Sequence, residues 1–352
     1  MNRRQRVLAA VRRQPVDRLP TDMWATNEVF DRLYAHFKVD TKVALYDCLG
    51  IDGIFGIAPP YTGPAPLEGD DYWEDAWRMG YRKQQYATGV YSEQVHFPLA
   101  CAETIEDLKA FPWPSPDWYD YAQIPGLAAE FPERAIMCGY TAVFYWHNKL
   151  RGLELSLLDP LLRPDFTHYL IERISDFFSE YHRRCFEAGR GVIDITQVTD
   201  DFGSQHGLLI SPAIFEQFYR RPMQRGIDLA KAFDILVFHH DDGDLRTLLP
   251  TLVGMGIDIL NPIQWRCGDW DLAALKREFG GRIAFHGAVD NQETLPFGTA
   301  AEVRAQVKRV VETLGADHTG FIIAPCHNLQ ANTSTENIVA MYEAARDFGS
   351  FE

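Results

Sequence analysis

A chain of 352 residues with 46% hydrophobic and 24% charged side chains can bury the core of one large α/β domain or two ordinary ones. Its formal charge of −15 argues against whole-molecule attraction to nucleic acid or to an anionic membrane and leaves only local basic patches open. Six scattered cysteines, with no CxxC pair and no secretory signal, read as reduced thiols in a cytoplasm.

The N-terminus, MNRRQRVLAAVRRQPVDRLP, has only Val7-Leu8-Ala9-Ala10-Val11 as an apolar run, too short for a signal core or a membrane span. It reads as an amphipathic surface helix ended near Pro15. Strand-like runs follow at residues 19–24, 51–57, 135–140, 192–198, 235–239, 257–263, 283–288 and 321–325. Between them, residues 164–188, 212–232, 245–255, 272–279, 300–314 and 335–348 carry apolar side chains at three- and four-residue intervals, as amphipathic helices do. Helix-start signals stand at Ser211-Pro212, at Thr299 before Glu302 and at Ser334 ahead of Asn337.

Eight strands alternating with helices predict a (β/α)8 TIM-type barrel, with an open doubly wound sheet as the competitor. The barrel is preferred because polar residues gather just after the strands, where a barrel builds its site. Residues 59–132 break the alternation, reading as short antiparallel strands and then the proline-rich FPWPSPDW. They are expected to form an insertion over the barrel mouth, with 1–352 as one domain.

The strand ends supply the chemistry. In VFHHDDGD, residues 237–244, His240 and Asp242 share one face of an extended backbone and His239 and Asp241 the other. One pair faces the lumen and could bind a divalent ion such as zinc; a hydrogen-bonded His-Asp cluster without metal is the alternative. In IIAPCHNLQANT, Cys326 and His327 offer a thiolate and an imidazole that could complete a three-ligand site, or a buried thiol beside a substrate-binding histidine. Asp200 and Asp201 end another strand and suit proton transfer or ligand orientation, although an aspartate there also caps turns. Gln205, Asn261, Gln264, Asp290 and Trp24 are placed as substrate-binding, and His286 as a weaker catalytic candidate.

GxxxxGK[ST], GxGxxG and GxSxG are absent. Aromatic residues concentrate between 55 and 146, which could line a pocket for a flat or methylated ligand, though core packing accounts for most of them.

The runs DDFGSQHGLLISPAIFEQFYRRPMQRGIDLAK, VFHHDDGDLRTLLPTLVGMGIDILNPIQ, FHGAVDNQETLPFGTAAEVRAQVKRVVETLG and GFIIAPCHNLQANTSTENIVAMYEAA, in that order, resemble the uroporphyrinogen decarboxylase superfamily. The resemblance covers nearly the whole chain and implies a (β/α)8 barrel. True uroporphyrinogen decarboxylases carry an RQAGR-type motif after the first strand. Here that place reads Asp22-Met23-Trp24-Ala25-Thr26-Asn27-Glu28, a poor match for a polycarboxylate substrate.

The other branch implied by the resemblance holds zinc methyltransferases that exchange methyl groups with a corrinoid. Their HxC pair and C-terminal cysteine would fall at His240, Asp242 and either His327 or Cys326. A carboxylate in place of a thiolate makes a harder, more Lewis-acidic site and favours an oxygen-bearing donor such as a methoxy compound. The expectation is a cytoplasmic, metal-dependent methyltransferase passing a methyl group from a small substrate to a corrinoid (cobalamin) protein, with a homodimer left open. The alternatives are a metal-free decarboxylase of a smaller substrate and a non-catalytic corrinoid- or tetrapyrrole-binding barrel.

Overall fold

A computed structural model describes residues 1–86 and 89–351. Its strands are β1 (Ile54–Ile57), β2 (Tyr72–Glu74), β3 (Gly80–Tyr86), β4 (Gly89–His96), β5 (Ala135–Thr141), β6 (Ile195–Val198), β7 (Gly203–Ser204), β8 (Gly207–Leu208), β9 (Leu236–His240), β10 (Ile259–Asn261), β11 (Ala284–Val289) and β12 (Phe321–Pro325). Seven form one parallel sheet in the order β1-β5-β6-β9-β10-β11-β12. Helices pack against its outer face, so β11 and β12 are buried at every residue and, His286 apart, read as apolar runs rather than alternating ones.

The expected strand at 19–24 is not a regular strand. Pro20 has no N–H to donate, and the N–H of Thr21 goes to the Asp52 carboxylate at 3.1 Å. The segment instead makes isolated parallel bridges, Thr21 with Ile323 and Ala25 with Leu329. On its other side Gly53 N donates to Thr21 O at 2.9 Å and Ile54 N to Asp22 Oδ1 at 3.1 Å. It therefore lies between β12 and β1 and joins the two edges of the sheet, which curls the seven strands into a TIM-type fold.

Inside, Ile54, Ala135, Ile195, Phe238, Ile259, Ala284 and Ile322 form one apolar cluster, one residue from each strand. Val7 and Val11 of helix α1 (Arg3–Val11) join it. The expected surface helix is thus a plug: its basic face is used too, Arg6 reaching the buried Asp52 at 2.6 Å and Arg4 reaching Asp194 at 2.7 Å.

The insertion begins with the antiparallel sheet β2-β3-β4 and continues as short helices. Gln94 of β4 donates to Lys149 O at 2.7 Å and Tyr91 OH to Gln330 at 3.0 Å, which ties this sheet to chain following β5 and β12 at their C-terminal ends. Among the described residues, no helix is long and apolar enough to cross a membrane.

Candidate active site

Phe238 packs in the inner cluster, so the two-residue period of β9 turns His240 inward as well and His239 outward. The outward pair is used by the fold. His239 Nδ1 lies 2.9 Å from Val198 O, and Asp241 Oδ1 accepts from Phe202 N and Gly203 N, both at 3.0 Å. Burial pushes the His239 imidazole down to about 4 and the Asp241 carboxyl well above its ordinary value. Gly243 then turns the chain with φ 87°, against the β7–β8 hairpin, where a Cβ would meet Ser204 O at 2.5 Å.

The inward pair meets His327. Ligand atoms of His240, Asp242 and His327 lie within 4.8 Å of one another. His327 Nε2 is 3.4 Å from Asp242 Oδ2, and His240 Nε2 is 3.9 Å from Asp242 Oδ1. Bonds of about 2.0 Å to a tetrahedral ion separate ligand atoms by about 3.3 Å, so small shifts would let this set close on a zinc-sized cation with one position open. Two imidazoles and a carboxylate are a donor set that fits zinc. Burial lowers the His327 pKa, the direction that keeps its nitrogen free of a proton.

A hydrogen-bonded chain runs away from this cluster. His240 Nδ1 is 2.6 Å from Asn261 Oδ1, Asn261 Nδ2 is 2.7 Å from His286 Nδ1, and His286 Nε2 is 3.0 Å from Asp22 Oδ2. Asn261, His286 and Asp22 are all buried, and the Trp24 ring covers the chain, with centroids 5.4 Å from His240 and 6.0 Å from His286. Gln264 braces the other side, donating to Asp242 Oδ1 at 3.0 Å and accepting from Gly243 N at 2.7 Å.

Several residues expected to meet a ligand do other work here. Asp200 is buried and accepts the N–H groups of Phe144 and Tyr145, the first turn of helix Val143–Arg151. Asp290 caps the turn of residues 292–294 through three N–H groups and pairs with Arg266 at 2.8 Å. Asn261 and His286 sit beneath the cluster rather than at its open side. Cys326 is turned away from its neighbour His327, with its thiol 3.3 Å from Ile263 O and its pKa raised by burial, and it is not part of the three-ligand group.

Asp201 stays partly exposed, 3.9 Å from His240 Nε2, and its pKa is raised by burial and by the nearby Asp242. Gln205 lies in the β7–β8 turn, 3.4 Å from Cys267 Sγ. Asp22 was not singled out by sequence; its one visible signal is a carboxylate inside an apolar strand-like run.

The fold is that of a solved methyltransferase from Methanosarcina mazei, with TM-score 0.65, 19% identity and 99% of each chain covered. Curated uroporphyrinogen decarboxylases from Chlorobaculum tepidum and Dechloromonas aromatica are each 23% identical, over 60% and 52% of this chain. The chain spans about half the length of these relatives, 55% and 48%. The family model described as "Uroporphyrinogen decarboxylase (URO-D)" matches residues 137–348, more than half of the chain and the whole run that carries Asp201, His240, Asp242 and His327. The chain belongs to the uroporphyrinogen decarboxylase family.

Proposed function

We propose that this protein is a metal-dependent methyltransferase that moves a methyl group from a small methylated substrate, of the methoxy type, to the corrinoid of a partner protein. The supporting observation is the convergence of His240, Asp242 and His327, with the partly exposed Asp201 beside them. A bound divalent ion would supply Lewis acidity toward the departing oxygen. In the transfer the methyl C–O bond would break with its electron pair left on oxygen, and the acceptor corrinoid would supply the electron pair for the new bond to the methyl carbon.

The chain's own residues divide the rest. Asn261 and Gln264 hold His240 and Asp242 in place. Asp201, 3.9 Å from His240 Nε2 and partly exposed, stands where it can pass a proton to the departing oxygen. Trp24 walls the site from below with an apolar face.

The test is zinc content by mass spectrometry together with methyl transfer to free cob(I)alamin, followed by its absorbance. Wild type is expected to hold one zinc and to react, and His240→Ala to do neither. A protein with no bound divalent ion, whose His240→Ala variant is as active as wild type, overturns the proposal.

The names of the curated relatives favour a second reading, decarboxylation without metal. Against it, Arg32 is engaged by the carbonyls of Ala331 and Thr333, and Arg266 by Asp290 and Glu293, so neither guanidinium is free for a substrate carboxylate. Activity insensitive to chelators would favour the decarboxylase.

A further inference from the structure

A cavity of about 400 Å³ opens where β1, β5 and β6 end, within the size range of small-ligand sites. Trp77, Tyr119, Trp146 and Phe178 line it. Trp77 comes from the insertion, and its ring lies 4.7 Å from Trp146 and 5.6 Å from Phe178, so the insertion completes an aromatic wall that the barrel begins. Two other lining residues face the barrel axis: Met137 packs against the inner cluster that also contacts Trp24, and Gln197 lies on the same face of β6 as Ile195. Tyr140, also in the lining, is close enough to Asp200 and Asp201 for their charges to act on its phenol. The cavity therefore reaches the inner face of the barrel, where Gln197 stands opposite Phe238, two residues before His240.

We propose that this cavity binds an uncharged methoxylated aromatic ring as the methyl donor. The inference rests on the methyl-transfer reading above and narrows its substrate. Three observations point to that chemistry. The walls are flat π-surfaces, which favour another ring. Trp146 has a buried indole N–H without a partner, and a ligand oxygen would accept from it. The charged residue in the lining is Asp75, and among the described residues no lysine or arginine lines the cavity, so a ring bearing a carboxylate would meet like charge at its wall.

The leaving group agrees with the donor set. A phenol ionises near pH 10, about six units below an alkanol or water, so cleaving an aryl methyl ether demands far less of the site than cleaving an alkyl one.

Gly56 gives the test its specificity. It lies on the inward face of β1 in the lining, and a Cβ there would meet nothing within 4 Å, so a larger side chain would fill the cavity without displacing the fold. Calorimetric titration of the purified protein with 2-methoxyphenol should give saturable binding. Binding of 4-hydroxy-3-methoxybenzoate should be at least tenfold weaker, and of choline absent. Gly56→Ile, with its melting temperature checked against wild type, should abolish binding, and Trp146→Phe should weaken it by about tenfold, the worth of one hydrogen bond.

Undiminished binding to Gly56→Ile, tighter binding of the benzoate, or binding of choline in place of the phenol would each overturn the assignment. Binding that behaves as expected, but with no methyl transfer to cob(I)alamin, upholds the cavity and sinks the methyltransferase reading instead.

Discussion

Asp22 Oδ2 lies 3.0 Å from His286 Nε2, and that contact sets the tautomer of His240 two hydrogen bonds away. A carboxylate only accepts, so His286 carries its proton on Nε2 and presents a bare Nδ1. Asn261 must then donate from Nδ2 to His286 and accept at Oδ1 from His240 Nδ1–H. His240 is left with an unprotonated Nε2 aimed at Asp242 and His327, the form that binds a metal.

Asn261→Leu breaks this chain in the middle and is expected to weaken zinc binding by about 10- to 100-fold, read by competition with a chromophoric chelator. In the metal-free wild type, nitrogen NMR should report the Nδ1–H form of His240. An unchanged zinc affinity, or an Nε2–H signal for His240, would show that the chain does not fix the ring.

Three carboxylate and thiol variants should separate holding the metal from using it. Asp242→Asn removes the anionic ligand and should lose zinc. Asp201→Asn should keep zinc and lose about 10²- to 10⁴-fold in kcat, the usual worth of a general acid. Cys326→Ser should change neither, because its thiol is occupied with Ile263 O. Zinc retained by Asp242→Asn, or lost by Cys326→Ser, would mean that the ligand set is drawn wrongly.

The barrel was legible because its strands are continuous apolar runs separated by helical periodicity, a pattern that survives burial on both faces. The first strand was legible only in part: apolar content marked residues 19–24, but Pro20 and the capture of the Thr21 N–H by Asp52 keep the segment from a full ladder. At β9 the neighbours Val237 and Phe238 are both apolar, so alternation could not say whether His239 or His240 faces inward; packing of Phe238 in the lumen does.

Asp200 was placed as catalytic, and Asn261 and Asp290 as substrate-binding, for a related reason. A strand end is where function gathers, but it is also where the next turn or helix needs acceptors for its N–H groups, and these residues serve that need or brace their neighbours. Asp22 stayed hidden because its partner His286 is 264 residues away.

The closure of the barrel hangs on Asp52, and its loss should be costly. The fully buried carboxylate takes Arg6 Nη1 at 2.6 Å, Arg18 Nη1 at 2.7 Å and Thr21 N at 3.1 Å, joining the α1 plug to the segment between β12 and β1. Asp52→Ala takes one of two carboxylates from the buried Arg6, which keeps Asp17, and leaves the Thr21 N–H without its acceptor, so it should cost about 1–3 kcal/mol in urea unfolding. A loss below about 1 kcal/mol would mean that solvent reaches Arg6 and the closure does not depend on this ion pair.

Acid should destabilise the fold through His182, and a difference experiment can isolate it. Its ring, carried on the helix Pro164–Ala188 and buried against β5, is held neutral, its pKa pushed down to about 4 from an ordinary 6.5. Between those values the unfolded chain binds a proton that the folded one does not, so the contribution of His182 is intact above pH 6.5 and drains away as pH falls toward 4, by about 3 kcal/mol in all. Asp200 and Asp241, both raised by burial, act with the opposite sign over an overlapping range, so the wild-type pH profile alone is ambiguous. His182→Gln removes only the first contribution. The stability gap between wild type and variant should therefore be widest near pH 7 and narrow steadily toward pH 4.5, measured by urea unfolding at each pH. A gap that stays constant over that range would mean His182 is protonated or solvated in the folded state.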